Sequence, residues 1–210
     1  MRSEFVNSDS FKVLTNCMEY ENGLALRVCV ETGLRIGDVL KIKGQDIDGN
    51  IISFVAEKTG KNGTKEITSR LARELKRLVT SPTAYVFKGR GKSGHRTRQA
   101  VYIDLKNACK RLGVEGQISP HSARKSYAVR VFHDKGLNAV QKELQHRNVS
   151  DTFLYCLSDI FSPKNNGKKE EDTETAKPSQ CPLLTQESRQ QLADAVAERV
   201  VEKLKNSNSY

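Results

Sequence analysis

The 210-residue chain carries 35 Lys and Arg against 25 Asp and Glu, a formal net charge of +10. That length can bury a proper core, with room for one domain and an appendage. No apolar run is long enough to span a membrane, MRSEFVNSDS has no signal-peptide pattern, and the five cysteines are scattered without a C-x-x-C pair; a spanning protein, a disulfide framework and a zinc site are excluded, and a soluble protein of a reducing cytoplasm is expected.

In chain order, Ser8 or Asp9 can cap a helix through SFKVLTNCMEY, and GLALRVCVETG reads as a second, largely buried one ended by Gly33. RIGDVLKI reads as a third, short helix. The period then changes: GQDIDGN, IISFVAEK and TKEITS alternate like strands, with turns at Asp48-Gly49 and Lys61-Asn62-Gly63. A small antiparallel sheet of two or three strands is expected there. Ser69 caps RLARELKRLVT, Ser81-Pro82 stops it, and AYVF is a brief extended piece before the basic loop KGRGKSGHR. A helix over about 96–112 ends at Gly113, and Ser119-Pro120 starts another that runs to Gly136.

LNAVQKELQHR is a further apolar-periodic run, interrupted at 148–150, where Ser150 caps a new helix, SDTFLYCLS. His146 and Tyr155 stand nine residues apart across that break. On one unbroken helix they would lie roughly 13 Å apart along the axis; a fold at the break lets both point at one spot. Residues 162–183 read as a flexible polar linker, and 184–206 as an amphipathic helix with Leu192, Val196, Val200 and Leu204 in a narrow stripe. That stripe suits self-association or a protein partner's groove.

Charge follows this division. From residue 161 onward eight basic residues meet eight acidic ones, so residues 1–160 hold the whole excess, 27 against 17. Within them, 81–130 has eleven basic residues against only Asp104 and Glu115. A block that basic points to a polyanion such as nucleic acid, unless it is merely a solubilising cationic surface. Lys41, Lys43, Arg90, Lys92, Arg96, Arg98 and Arg147 are the candidate DNA contacts.

Four features carry possible chemistry. In TGLRIGD, Arg35 leads a short helix with Asp38 one turn on, close enough to orient its guanidinium. In EKTGK, Lys58 stands at the lip of a hairpin. In PHSAR, His121 and Arg124 share a face in the first turn of a helix. QHRNVSDTFLY holds His146 and Tyr155. Singly, each has an ordinary reading: Arg35–Asp38 a surface ion pair, Lys58 a hairpin lysine, His121 a helix-start histidine, Arg124 a solvated cation. Together, without a carboxylate cluster for a metal, they fit phosphodiester chemistry. Two guanidinium forks can bind the non-bridging oxygens in place of a metal ion. A tyrosine phenol is an acidic enough nucleophile, a lysine can protonate the departing 5′ oxygen, and histidines can handle the phenol proton.

The sequence resembles the catalytic domain of the tyrosine recombinases, the phage-integrase family. ETGLRIGDVLKIKGQDI is similar to the family's first arginine box, EKTGK to its β-hairpin lysine segment, SPHSARKSYAV to its H-x-x-R box, and LQHRNVSDTFLY to its closing histidine-to-tyrosine box. The resemblance covers about residues 8–160. It implies a mainly α fold with a small antiparallel β-sheet over residues 1–161. It also implies Tyr155 as nucleophile, Arg35 and Arg124 as phosphate clamp, Lys58 as general acid, His121 and His146 completing the pocket, and Asp38 bracing Arg35. No metal or other cofactor is implied. The implied setting is a prokaryotic or phage-encoded protein acting on double-stranded DNA as a synaptic tetramer, through a 3′-phosphotyrosyl intermediate and a four-way junction.

There are departures. Asp38 replaces a usual glutamate, and Ala123 and Gln145 replace a common leucine and glycine. Arg35 lies too near Met1 for the helical N-terminal domain that members usually carry, so a stand-alone catalytic unit or an excised piece is expected. Two rivals stay open: a type IB topoisomerase-like nicking-rejoining enzyme, and a DNA-binding regulator without activity.

Overall fold

Asn7, one residue earlier than expected, caps the first helix: its side-chain oxygen accepts from the Ser10 N–H at 2.7 Å. In the computed structural model, which describes residues 3–144, this helix, α1 (Ser8–Asn16), stops well short of Tyr20. A new helix, α2 (Tyr20–Thr32), begins there and forms the middle of the core. Leu24, Ala25, Leu26, Val28 and Cys29 are all fully buried, which explains a helix apolar on more than one face. It is flanked by α1 and by α6 (Pro120–Lys135), with α5 (Arg98–Arg111) and α4 (Ser69–Leu78) also packed on it. Arg27 of α2 and Glu74 of α4 pair at 2.6 Å across one of these contacts.

Gly33 ends α2 in the left-handed conformation (φ 72°), which a side chain would strain. The third helix, α3 (Ile36–Val39), is a single turn. The sheet has three antiparallel strands in the order β1 (Ile47–Asp48), β2 (Ile51–Val55), β3 (Asn62–Glu66). Its second turn lies at 57–60, not at Lys61-Asn62-Gly63. Asn62 and Gly63 are already paired in β3, opposite Val55 and Phe54, and the Gly60 N–H closes the turn on the Ala56 carbonyl at 2.8 Å. Only Ile52 of β2 is fully buried, so the hairpin lies on the core by one face.

Thr68, not Ser69, caps α4, and Thr97 caps α5; each threonine hydroxyl accepts a backbone N–H three residues on. Ser119 caps α6 with Pro120 at its first position, as the sequence predicts. The basic loop is itself hairpin-like, with Lys88 bridged to His95 and the Arg96 N–H bonded to the Phe87 carbonyl. After Gly136 comes α7 (Leu137–Leu144), packed on α6 through Val140 and Leu144. The described domain is thus mainly α with a small antiparallel sheet. No helix among the described residues is long and apolar enough to cross a membrane. His146, Arg147, Tyr155, the break at 148–150, the linker and the C-terminal helix lie outside the described residues.

Candidate active site

The backbone that leaves the buried end of α2 is held locally. The Thr32 hydroxyl donates to the Val28 carbonyl at 2.6 Å and accepts from the Leu34 N–H at 3.2 Å. Arg35 follows in extended conformation as the residue before α3, half-buried, its carbonyl accepting the Asp38 and Val39 N–H groups. Arg35 lines a cleft of about 540 Å³, which Asp38, Lys58, Arg98, His121 and Arg124 also line.

Arg124 is almost wholly buried, 4% exposed. Its Nη1 donates to the Gly33 carbonyl and its Nη2 to the Leu144 carbonyl at 2.6 Å. A guanidinium has five N–H donors, and these bonds engage two of them. These carbonyls fix the orientation of the fork. Three residues earlier on α6, His121 shares the cleft. More than a third of its surface reaches solvent. Even so, the protein packed around the ring, then the charges of Arg124, Lys125 and Arg35, push its pKa down to about 4. The ring is therefore neutral at physiological pH and can accept or donate one hydrogen bond. The N-terminal end of α6 adds a positive dipole at the same spot.

Lys58 stands exposed in the 57–60 turn. Asp38, expected to brace Arg35, is engaged with the hairpin backbone. It is buried, and its Oδ1 accepts from the Glu57 N–H at 2.9 Å. Among the described residues it makes no ion pair with Arg35. With one carbon less than glutamate, this carboxylate reaches the hairpin backbone and fastens the turn that bears Lys58. The neighbouring Glu57 side chain pairs with Lys41 at 3.2 Å, which holds its carboxyl below the usual range.

The candidate DNA contacts divide. Arg90 and Lys92 are exposed and make no ion pair among the described residues. Lys41 shares its charge with Glu57, and Lys43 lies over the Tyr85 ring at 5.5 Å. Arg96, another of these candidates, is engaged within the protein. Its fork bonds Glu19 at 2.6 and 2.7 Å, Glu21 at 2.8 Å and Asn22 at 3.0 Å, and its side chain is only 16% exposed. Two carboxylates cancel its charge and hold the guanidinium pKa above its ordinary value, so it is a clasp between the loop and α2. Arg98, two residues on, is exposed and belongs to the cleft, its Cδ 3.3 Å from where a Cβ on residue 37 would be; glycine at 37 leaves it that room. Nothing in the local sequence separates Arg96 from Arg98, because their partners lie some 60 to 77 positions away. Tyr102, another lining residue, was also not singled out as part of the site.

A mainly helical domain with a three-stranded sheet and a cleft holding two arginines, a hairpin lysine and an H-x-x-R pair has the architecture of an integrase-type catalytic domain. The phage integrase family profile matches residues 4–159, and the chain belongs to that family. A tyrosine recombinase of Thermosipho africanus is 29% identical over 164 residues, 72% of this chain and 56% of the relative. The chain spans about half the length of the curated relatives it matches. Among solved structures, a lambda integrase dimer bound to a COC′ core site aligns with a TM-score of 0.62 at 17% identity, covering 84% of this chain and 64% of that one. The catalytic domain of bacteriophage HP1 integrase aligns at 0.56 and 21%, covering 80% of this chain and all of that one.

Proposed function

We propose that this chain breaks and rejoins DNA at specific sites through a 3′-phosphotyrosyl intermediate, with Tyr155 as nucleophile. Arg35 and Arg124 bind the non-bridging oxygens, where negative charge grows as the phosphorus becomes five-coordinate. The Tyr155 oxygen forms a bond to phosphorus while the bond from phosphorus to the 5′ oxygen breaks. The Lys58 ammonium gives its proton to that leaving oxygen, and the phenol proton passes to a histidine, His146 or the neutral His121. The phosphotyrosyl bond keeps the energy of the broken linkage, so attack by another 5′ hydroxyl rejoins DNA without an added energy source.

The observation that carries this reading is the convergence of Arg35, Lys58, His121 and Arg124 on one cleft from three separate stretches of chain. The reading extends to double-stranded DNA as substrate, to Arg90 and Lys92 as backbone contacts, and to a tetramer as the working assembly. The C-terminal helix is proposed as a self-association or partner segment.

DNA repeats flanking the protein's own gene supply the test substrates. A nicked form should trap covalent protein–DNA complex, and two intact copies should exchange strands. Supercoil relaxation without exchange would favour a nicking-rejoining enzyme; tight binding with no covalent complex would favour a regulator. Either result would overturn the proposal.

A further inference from the structure

A second polar cluster, none of whose members lines the cleft, is not used by the chemistry above. The Tyr127 hydroxyl donates to Glu143 Oε2, and Lys65 Nζ donates to the same oxygen at 2.7 Å and to the Tyr127 hydroxyl at 3.2 Å. Lys65 also lies over the Tyr127 ring at 5.2 Å, with the Arg130 guanidinium 5.4 Å from that ring. The Lys65 and Glu143 side chains are only 16% and 26% exposed, and Tyr127 only 5%. A carboxylate in such a place is stabilised by its donors: Lys65, Tyr127 and Lys135 outweigh the effect of burial and hold the Glu143 pKa down at about 2. On its other side the Tyr127 ring presses on Gly33, where a Cβ would come within 2.4 Å of a ring carbon.

The position of these residues in the chain is what matters. Gly33 is two residues before Arg35. Lys65 is on β3, the strand that follows the Lys58 turn. Tyr127 is one turn of α6 after Arg124, and Glu143 is three residues before His146. Each of the four stretches that bear the candidate catalytic groups therefore sends one residue to this cluster. Arg124 repeats the pattern, bonding the carbonyls of Gly33 and Leu144.

We propose that Lys65, Tyr127 and Glu143 are positioning residues: their cluster fixes the hairpin and α7 relative to α6, and so sets how the general acid and the closing histidine-to-tyrosine segment meet the phosphate. This rests on the reading under Proposed function. Two charged partners from elements far apart in sequence give a directional, single-register contact where apolar packing alone would allow sliding. Small displacements are enough to matter, since misplacing reacting groups by an ångström can slow a reaction about a hundredfold.

The test measures single-turnover formation of covalent complex on saturating nicked DNA, DNA affinity, and hydrogen exchange over residues 137–144. Glu143→Gln and Lys65→Met should each slow the covalent step on the order of tenfold to a hundredfold. Their DNA affinity should stay within about twofold of wild type, because neither residue lines the cleft and both side chains are largely buried. The double variant should be no slower than either single one, the signature of a shared contact. Lys65→Arg, which keeps the ion pair, should restore the rate, and exchange over 137–144 should rise in the two single variants. Glu74→Gln breaks the Arg27–Glu74 pair elsewhere in the fold and controls for loss of stability. Wild-type rates in Glu143→Gln and Lys65→Met, or an equal slowing in Glu74→Gln, would overturn the proposal. Covalent complex absent from the wild type would instead overturn the underlying reading. Unchanged exchange over 137–144 would reject the cluster's hold on α7 even then.

Discussion

Arg124 in the cleft and Arg96 in the basic loop are both arginines turned into the protein, yet they are held in opposite ways. Arg124 bonds the neutral carbonyls of Gly33 and Leu144; Arg96 bonds the carboxylates of Glu19 and Glu21. Carbonyls orient a guanidinium without contributing a countercharge of their own. Carboxylates orient it and cancel the charge, leaving a structural clasp. Burial alone therefore does not separate the two; the chemistry of the holding groups does. Around the cleft, Lys41 pairs directly with Glu57, while Arg98 is an exposed lining residue close enough to help hold that carboxyl down.

The largest effect should come from Arg124→Lys. A lysine keeps the charge but cannot bridge two carbonyls and present a fork, so the covalent step should slow on the order of a hundredfold to a thousandfold. A single-turnover assay on nicked DNA checks this, and a near-normal rate would break the comparison. The loop offers a sharper contrast of moderate size. Arg96→Met should lower stability by about 1–2 kcal/mol by leaving Glu19 and Glu21 without their cation, with no change in the salt dependence of DNA binding. Replacing Arg90 and Lys92 by glutamine should do the reverse: melting temperature unchanged, and the slope of log K against log salt reduced by about two.

The smallest effect is a pH dependence. His121 titrates near 6.5 when unfolded and at about 4 when folded, so the unfolded chain binds the extra proton between these values. Stability should therefore fall as pH drops from about 6.5 towards 4, and His121→Gln should flatten that part of the curve in urea unfolding. Below about 4.5 the loss passes to Glu143, which stays ionised in the folded state down to about 2. A His121→Gln curve parallel to wild type above pH 4.5 would show that neither burial nor the cleft's cations hold the ring neutral in the folded protein.

Much of this was legible in the sequence because it is encoded locally. Ser119-Pro120 marks the start of α6, so His121 and Arg124 were placed in its first turn directly. The change of period at Gln45 announced the sheet, and the four boxes carried the family resemblance that the family match bears out. What was not legible depends on distant partners. Arg96 and Arg98 look alike until Glu19, Glu21 and Gly37 are brought beside them. Asp38 one turn after Arg35 suggested an ion pair, whereas tertiary packing delivers the Glu57 N–H to it. The hairpin turn was misplaced because Asn62-Gly63 is a strong turn signal, but the pairing of β3 with β2 outweighs it. Lys65, Tyr127 and Glu143 gave no signal at all, since a lysine, a tyrosine and a glutamate in separate elements form a cluster only in the folded chain.

Peptide mapping of the trapped protein–DNA complex decides which tyrosine takes the phosphate. Tyr102 lines the cleft and is the natural competitor. The DNA-linked peptide should contain Tyr155, Tyr155→Phe should bind DNA without forming any covalent complex, and Tyr102→Phe should still form it. A covalent complex formed by Tyr155→Phe, or linkage mapped to Tyr102, would contradict Tyr155 as nucleophile.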